Sequence, residues 1–343
     1  MTRWCRLRAP DDGNGIMKRS ASLVAWSIRA KLVAAIGVIF ICLPSSGRAQ
    51  ASGSWNGLNY SVSGNNITIT GYTGPGGDVT IPSLIPGVVG SVTAIGDLAF
   101  QNCTTLTNIS LPDRVTSIGD YAFVACTSLT SISIPNSVTS IGANAFMRCT
   151  SLAGITIPNS VTFIGRSAFQ ECRSLTSITI PNSIASIQSC MFLDAGLTSV
   201  TVPDNVISIG DSSFEECPLT SVKIGSGVTS IASFAFADCP ALTGIIISRG
   251  VSSIGDGAFS DCSRLASISV DPGNNTYTSL NGVLFNKAQS VLLACPGGLA
   301  GAFTIPSSVS SIGNVAFAGC RGLTEIIIPS TVTRLRDALP NVC

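Results

Sequence analysis

The sequence predicts an α/β repeat protein in which short units of about 23 residues stack into a solenoid. A phenylalanine recurs along the chain at separations of 23, 23, 23, 23, 22, 22, 23 and 58 residues. Each one follows the same apolar pattern, and the positions between are mostly small and polar. The marker residues are Phe100, Phe123, Phe146, Phe169, Phe192, Phe214, Phe236, Phe259 and Phe317. Each unit is therefore expected to form one layer that buries its apolar face against its neighbours.

One regular unit, residues 129–149, shows what each position is expected to do. It reads L-T-S-I-S-I-P, then N-S-V-T-S-I-G, then A-N-A-F-M-R-C. The isoleucines on either side of Ser133 alternate with polar residues, as in a strand with one buried face, and Pro135 ends that strand. A second extended stretch ends at Gly142, which can form a turn. The segment around Phe146 then predicts a short helical turn.

Two further columns of apolar residues run through the repeats, and both predict buried spines. The leucine column is Leu106, Leu129, Leu152, Leu175, Leu197, Leu219, Leu242, Leu265 and Leu323. The isoleucine column is Ile95, Ile118, Ile141, Ile164, Ile187, Ile209, Ile231, Ile254 and Ile312. Each phenylalanine is interpreted as a core residue between layers. Polar residues that follow the repeat glycine are expected to cap free N–H groups of the turn: Asp97, Asp120, Asp211, Asp256 and Asn314.

Residues 1–51 have the three parts of a secretory signal peptide. A basic stretch precedes an apolar run over residues 32–43, and Ala49-Gln50-Ala51 resembles a cleavage site, so cleavage is expected after Ala51. The apolar run is shorter than the roughly 20 residues that span a bilayer. No transmembrane segment is therefore expected in the mature chain, although an uncleaved anchor is the alternative. Met17 is a more plausible start than Met1.

The mature chain is divided into a cap and a solenoid. Residues 52–93 do not match the repeat and predict a small N-terminal β cap, since open solenoid ends need polar covers. Residues 94–343 form the predicted solenoid, with a degenerate C-terminal cap over residues 329–343. Residues 271–308 are extra residues that predict a looped-out β-hairpin insertion, which is expected to contribute little stability. The shortened repeats around Phe192 and Phe214 predict a local irregularity and a looser layer at Phe192.

Composition excludes several classes of function. The mature chain carries eleven basic and sixteen acidic residues, so no basic surface for nucleic acid is expected. The protein has no histidine, which excludes histidine-dependent catalysis and histidine metal sites. No phosphate-binding loop or calcium loop is present. We expect neither an enzyme, nor a cofactor, nor a metal site.

Eight cysteines recur three residues after the marker phenylalanine: Cys103, Cys126, Cys149, Cys172, Cys217, Cys239, Cys262 and Cys320. Many cysteines in an exported protein usually indicate disulfides. Here, however, equivalent cysteines lie one layer apart with parallel side chains. A disulfide needs converging Cβ atoms about 3.8 Å apart, closer than the roughly 4.8 Å between paired strands. The column is therefore interpreted as buried free thiols.

The pattern L-x-x-I-x-I-P followed by V-x-x-I-G-x-x-A-F-x-x-C resembles the BspA-type leucine-rich repeat of bacterial surface proteins. The resemblance covers about residues 94–336, with nearly every position of the motif recurring. It implies a curved solenoid lined with strands. It also implies a role in adhesion or protein binding, with a protein, an extracellular matrix component or another cell-surface component as partner, and a secreted or cell-surface location.

The outward positions of the strands are the candidate binding surface. They form a neutral, hydroxyl-rich face composed of Thr130, Ser131, Ser133, Thr176, Ser177, Thr179, Thr198, Ser199, Thr201, Thr220, Ser221 and Lys223. A protein-binding or adhesive function is the first hypothesis. A structural spacer without a ligand, and a glycan or ice binder that uses the hydroxyl columns, remain alternatives.

Overall fold

The computed structural model describes residues 51–335. Every regular element among them is a β-strand, and the strands are numbered here along the chain. Five strands lie outside the repeating layers: β1 Ala51–Trp55, β2 Leu58–Ser63, β3 Asn66–Tyr72, β20 Tyr277–Leu280 and β21 Val283–Asn286.

Every layer except the one that contains Ser177–Thr179 contributes one strand to what we call the wide face. These strands cover the L-x-x-I-x-I segments: β4 Gly77–Thr80, β6 Leu106–Ser110, β8 Ser131–Ser133, β10 Gly154–Thr156, β13 Ser199–Thr201, β15 Ser221–Lys223, β17 Gly244–Ile247, β19 Ser267–Val270, β23 Ala300–Thr304 and β25 Gly322–Ile327. Strands β4, β6, β8 and β10 form one parallel sheet, and β13 with β15, β17 with β19 and β23 with β25 form three parallel pairs. Within the first sheet Ile132 lies between Ile109 and Ile155.

A second strand of each layer forms the narrow face. These strands are β5 Ser91–Ile95, β7 Ser117–Ile118, β9 Ser140–Ile141, β11 Phe163–Ile164, β12 Ser186–Ile187, β14 Ser208–Ile209, β16 Ser230–Ile231, β18 Ser253–Ile254, β22 Val291–Ala294, β24 Ser311–Ile312 and β26 Arg334–Leu335. They pair in parallel and stack the isoleucine column. The segment between a narrow strand and the next wide strand carries the Ala-Phe pair, and we call this third side of the layer the turn side.

The prediction of short helical turns on the turn side is wrong, because no helix is present among residues 51–335. Two residues per layer adopt positive φ instead, such as Tyr121 at 56° and Ala125 at 57°. Alternate N–H groups thereby turn towards the next layer. The N–H groups of Tyr121, Phe123 and Ala125 donate to the carbonyls of Ala143, Ala145 and Met147 at 2.7–2.8 Å. A helix would direct all of these donors to its own carbonyls, so the described solenoid is all-β.

The marker phenylalanines are buried in the core, as predicted, and all but Phe317 form one continuous stack. From Phe100 to Phe259 successive ring centroids lie 5.1–6.0 Å apart, with planes within 16° of parallel. Tyr72 of β3 adds a ring at the N-terminal end, 5.3 Å from Phe100. The leucine column is fully buried from Leu106 to Leu265, whereas Leu323 in the last described layer is half-buried.

Both faces are interrupted at the Phe192 layer, where the sequence predicts an irregularity. On the narrow face, β11 ends one sheet and β12 begins another. On the wide face, β10 is an edge strand, and Ser177–Thr179 is not part of any strand. The layer is nevertheless not loose at its centre. Phe192 is 1% exposed and stacks 5.6 Å from Phe169, so the prediction of a looser core there is wrong.

Residues 271–308 are part of the stack, and the prediction of a looped-out hairpin is wrong. β21 and β22 form the expected antiparallel pair, but β22 also pairs in parallel with β24 on the narrow face. β23 pairs with β25 on the wide face. Leu284 and Leu292 are fully buried. The insertion therefore supplies an additional layer between those of Phe259 and Phe317.

The inserted layer lacks a phenylalanine at the marker position of the repeat, which Cys295 occupies instead. Its N–H donates to the carbonyl of Ala316 at 2.7 Å, as the N–H of Phe123 does to Ala145. The smaller side chain interrupts the ring stack. A cavity of about 30 Å³ remains beside Phe259 and Cys295.

The N-terminal segment continues the narrow face. β1, β2 and β3 form an antiparallel meander, and β3 then pairs in parallel with β5. Ile67 and Ile69 of β3 are fully buried against the first repeats. The meander thereby covers apolar surface that the first repeat would otherwise expose.

Candidate functional site

All twelve predicted binding residues lie on the outside of the wide face, and all are exposed. Those of residues 130–133 belong to β8 or precede it directly. The predicted binding residues within 198–201 and 220–223 likewise belong to β13 and β15 or directly precede these strands. Thr201 lies opposite Lys223. Thr176, Ser177 and Thr179 lie at the interruption, outside any strand. The face is therefore divided into blocks and is not one unbroken hydroxyl-rich sheet.

Some of the predicted hydroxyl groups hold the stack together. Thr130 donates its hydroxyl to the carbonyl of Thr107 at 3.0 Å, and Thr220 donates to the carbonyl of Thr198 at 2.9 Å. Thr198 does the same to Thr176 at 3.3 Å. Since each threonine bonds to the layer before it, these three hydroxyl protons are already used.

The wide face becomes less polar towards its C-terminal half. In the column that contains Thr201 and Lys223, the next residue is Ile246, which is 64% exposed. A large exposed aliphatic side chain next to a lysine on a neutral strand surface is a contact point suited to another protein.

A groove at the corner where the wide face leads into the narrow face was missed by the sequence reasoning. It has a volume of about 580 Å³ and lies along three successive layers. One exposed asparagine from each layer lines it: Asn136, Asn159 and Asn182. The signal that could have identified it is the threefold repetition of Pro-Asn-Ser after the wide strand.

Three of the five predicted capping residues accept backbone N–H groups, but those of the next layer, whereas Asp256 accepts the side-chain amide of Asn314 at 2.6 Å. Asp97 accepts the N–H of Asp120 at 2.8 Å, and Asp120 accepts the N–H of Ala143 at 2.7 Å. Asp211 accepts the N–H of Ser233 at 3.2 Å. The column is therefore part of the scaffold.

The turn side carries a column of charged residues at its second positive-φ position. Arg148 pairs with Glu171 at 3.2 Å, and Arg173 pairs with Asp194. The carboxylates that follow in the next layers include Asp238. Partial burial and the nearby charges of Asp261 and Glu216 raise the pKa of Asp238. Burial likewise raises the pKa of Glu215.

The eight repeat cysteines are free thiols, as predicted, and seven of them are buried. Their role is more specific than filling space. Cys149 donates its S–H to the carbonyl of Phe123 at 3.1 Å, and Cys172 does the same to Phe146 at 3.1 Å. Burial raises the pKa of Cys172 to about 12. The thiol of Cys172 therefore stays protonated as a donor between layers and is a poor nucleophile.

Within residues 51–335, no group of three or more histidine, cysteine, aspartate or glutamate side chains is arranged to hold a metal ion. The same part of the chain has no helix long and apolar enough to cross a membrane.

These features define a parallel-β solenoid of stacked short repeats with a solvated strand face. The profile of the BspA-type leucine-rich repeat region matches residues 85–196, 187–292 and 300–339, in six copies. The chain belongs to this family. The family is a repeat scaffold, and the match indicates no catalytic family.

Two solved structures show the same fold. A leucine-rich cell surface protein from Faecalibacterium prausnitzii A2-165 is 30% identical, with a TM-score of 0.59 over 83% of this chain and 78% of that one. A leucine-rich repeat protein from Bacteroides ovatus ATCC 8483 is 25% identical, with a TM-score of 0.58 over 82% of this chain and 90% of that one. No curated protein matches the chain significantly.

Proposed function

We propose that this protein is an exported surface module that binds another protein through the C-terminal half of its wide face. The observation that carries the proposal is the exposed column Thr201, Lys223 and Ile246, where a cation and a large aliphatic side chain interrupt a neutral hydroxyl surface. Strand faces on rigid solenoids are extended binding surfaces. Two further points support the proposal: the family membership and the cell-surface description of the Faecalibacterium protein.

Export rests on the signal peptide predicted in residues 1–51, which lies outside the described residues except for Ala51. N-terminal sequencing of the protein recovered from the medium or the cell surface is expected to begin near Ser52. A surface protein that still begins at Met1 or Met17 would contradict cleavage.

Binding is tested with the full chain against immobilised extracellular matrix proteins, measured by biolayer interferometry. Ile246→Asp is expected to weaken a positive interaction at least tenfold, because it places a charge where an aliphatic contact is buried. Ile207→Asp is the matched control, since Ile207 is 56% exposed but lies on the narrow face. Equal loss in both variants, or no binding to any matrix protein, would favour a spacer without a dedicated ligand.

A further inference from the structure

The corner groove contains polar groups that the fold leaves without a partner. The amides of Asn136, Asn159 and Asn182 are exposed, and none makes a side-chain hydrogen bond within the described residues. Each amide offers two N–H donors and a carbonyl acceptor. One such group projects from each of three consecutive layers.

A buried hydroxyl in the same groove also lacks a partner. Ser137 and Ser183 donate their hydroxyls to the carbonyls of Val115 and Val161, one layer before each. The equivalent Ser160 lies between them, lines the groove, and makes no such bond among residues 51–335. The pattern of interlayer bonds is therefore broken at the layer in the middle of the groove.

The interruption of the wide face lies at the same place. β10 is an edge strand there, and the chain around Thr179 does not pair with it as a strand. The hydroxyls of Thr156 and Thr179 face the groove from either side of this gap. An open edge with amides and hydroxyls on its border is a place where a ligand can supply the missing hydrogen bonds.

The rest of the lining limits the chemistry of the ligand. The partly exposed ring of Pro158 provides an aliphatic surface above the buried Pro181, Ile157 and Ile180, and no charged side chain lines the groove. A ligand with apolar C–H faces and neutral hydroxyl edges fits both parts of the lining. These are the properties of a pyranose sugar.

The spacing of the layers favours a linear sugar chain. The rings that mark these three layers lie 5.5 and 5.6 Å apart. A straight β-linked pyranose chain advances by about one ring length per residue, close to one layer. An extended peptide advances about 3.3 Å per residue, so its alternate residues, about 6.6 Å apart, fall out of step with the amides.

We propose that this groove binds a linear, uncharged β-linked polysaccharide, with one sugar unit for each of the three layers. Asn136, Asn159 and Asn182 hydrogen-bond to successive hydroxyls, and Pro158 contacts the face of the central sugar. The groove has no aromatic ring to stack on a sugar. Each sugar is therefore held weakly, and affinity depends on chain length.

The test titrates the full chain with β-1,4-linked glucose and N-acetylglucosamine oligomers of two to six units, with calorimetry or NMR as the readout. Affinity is expected to rise from the dimer to about the trimer and then level off. Replacing all three asparagines by alanine is expected to lower affinity for the hexamers about tenfold. Asn108→Ala, an exposed asparagine elsewhere on the wide face, is expected to leave it unchanged.

Three results would overturn the proposal. The first is the absence of saturable binding by any of these oligomers. The second is equal affinity for the hexamer of α-1,4-linked glucose, whose curved chain does not follow the layers. The third is a protein that binds a decaproline peptide through the same three asparagines and does not bind the sugars. The triple asparagine variant is expected to bind matrix proteins as the unchanged protein does, since Ile246 does not line the groove. Loss of sugar binding alone therefore distinguishes this site from the wide face.

Discussion

At Gly142 the backbones of successive layers come into close contact. A Cβ atom there would lie 2.6 Å from the backbone nitrogen of Asp120, although the φ angle of Gly142 is not positive. The glycine is needed for this close approach and not for a turn. Gly142→Ala is expected to destabilise the protein by about 1–3 kcal/mol in denaturant melts. Ala232 occupies the same position in another layer, which indicates that neighbouring layers can shift to accommodate a methyl group.

Gly154→Ala is the matched control, because a Cβ atom at Gly154 would meet no atom within 4 Å. This change is expected to be neutral or to stabilise by about 0.4–1 kcal/mol, since it restricts the unfolded chain. Equal effects of the two substitutions would show that close approach is not what selects glycine in the repeat.

The buried thiol of Cys172 makes stability depend on pH. Cys172 has a pKa of about 12 in the folded protein because it is buried, whereas an unfolded cysteine titrates near 8.5. The stabilisation is fully present below about pH 8.5 and is lost as the pH rises towards 12. Over this range Cys172 lowers the free energy of unfolding by about 1.4 kcal/mol per pH unit. Denaturant midpoints measured with reductant from pH 7 to 10.5 are expected to fall above pH 8.5; a flat profile would contradict buried, protonated thiols.

Among the elements, the insertion changes most between sequence and structure. Leu292 of β22 is fully buried and pairs with Ile312, whereas Leu280 of β20 is 39% exposed. Leu292→Ala is therefore expected to cost about 2–5 kcal/mol, as for a leucine of a regular repeat. Leu280→Ala is expected to cost less than about 1 kcal/mol. Similar small losses for both, measured in urea, would restore the interpretation of a looped-out hairpin.

The limits of sequence reasoning are clearest in these elements. The spacing of Phe100 to Phe259 and the alternation around Ser133 were sufficient to predict layers, strands and buried columns. The turn side was not predictable in the same way, because positive φ at Tyr121 is stabilised by bonds to the next layer and not by local propensity. The groove was missed because a single Pro-Asn-Ser segment has no chemistry of its own until three copies align.

At the scale of the whole molecule, the ring stack links the layers from Phe100 to Phe259 into one core. Phe146 and Phe192 are both buried and both stack on two neighbours at 5.3–5.6 Å. Alanine at either position is therefore expected to cost about 3–5 kcal/mol, with little difference between the two. Equilibrium unfolding of both variants provides the measurement. A cost below about 1 kcal/mol at Phe192 would restore the prediction of a loose layer.

The hydrogen bonds between layers also have a mechanical consequence. They join neighbouring layers along the turn side and, within each sheet, along the two faces, so that under a pull on the two ends the layers are expected to separate one after another, first where the sheets are interrupted. Each released layer of 23 residues adds up to about 80 Å of extended chain. If the protein tethers a cell to a surface, as proposed above, it would lengthen in steps under load and limit the force on the bond at its tip. Single-molecule stretching would record these steps as a regular sawtooth.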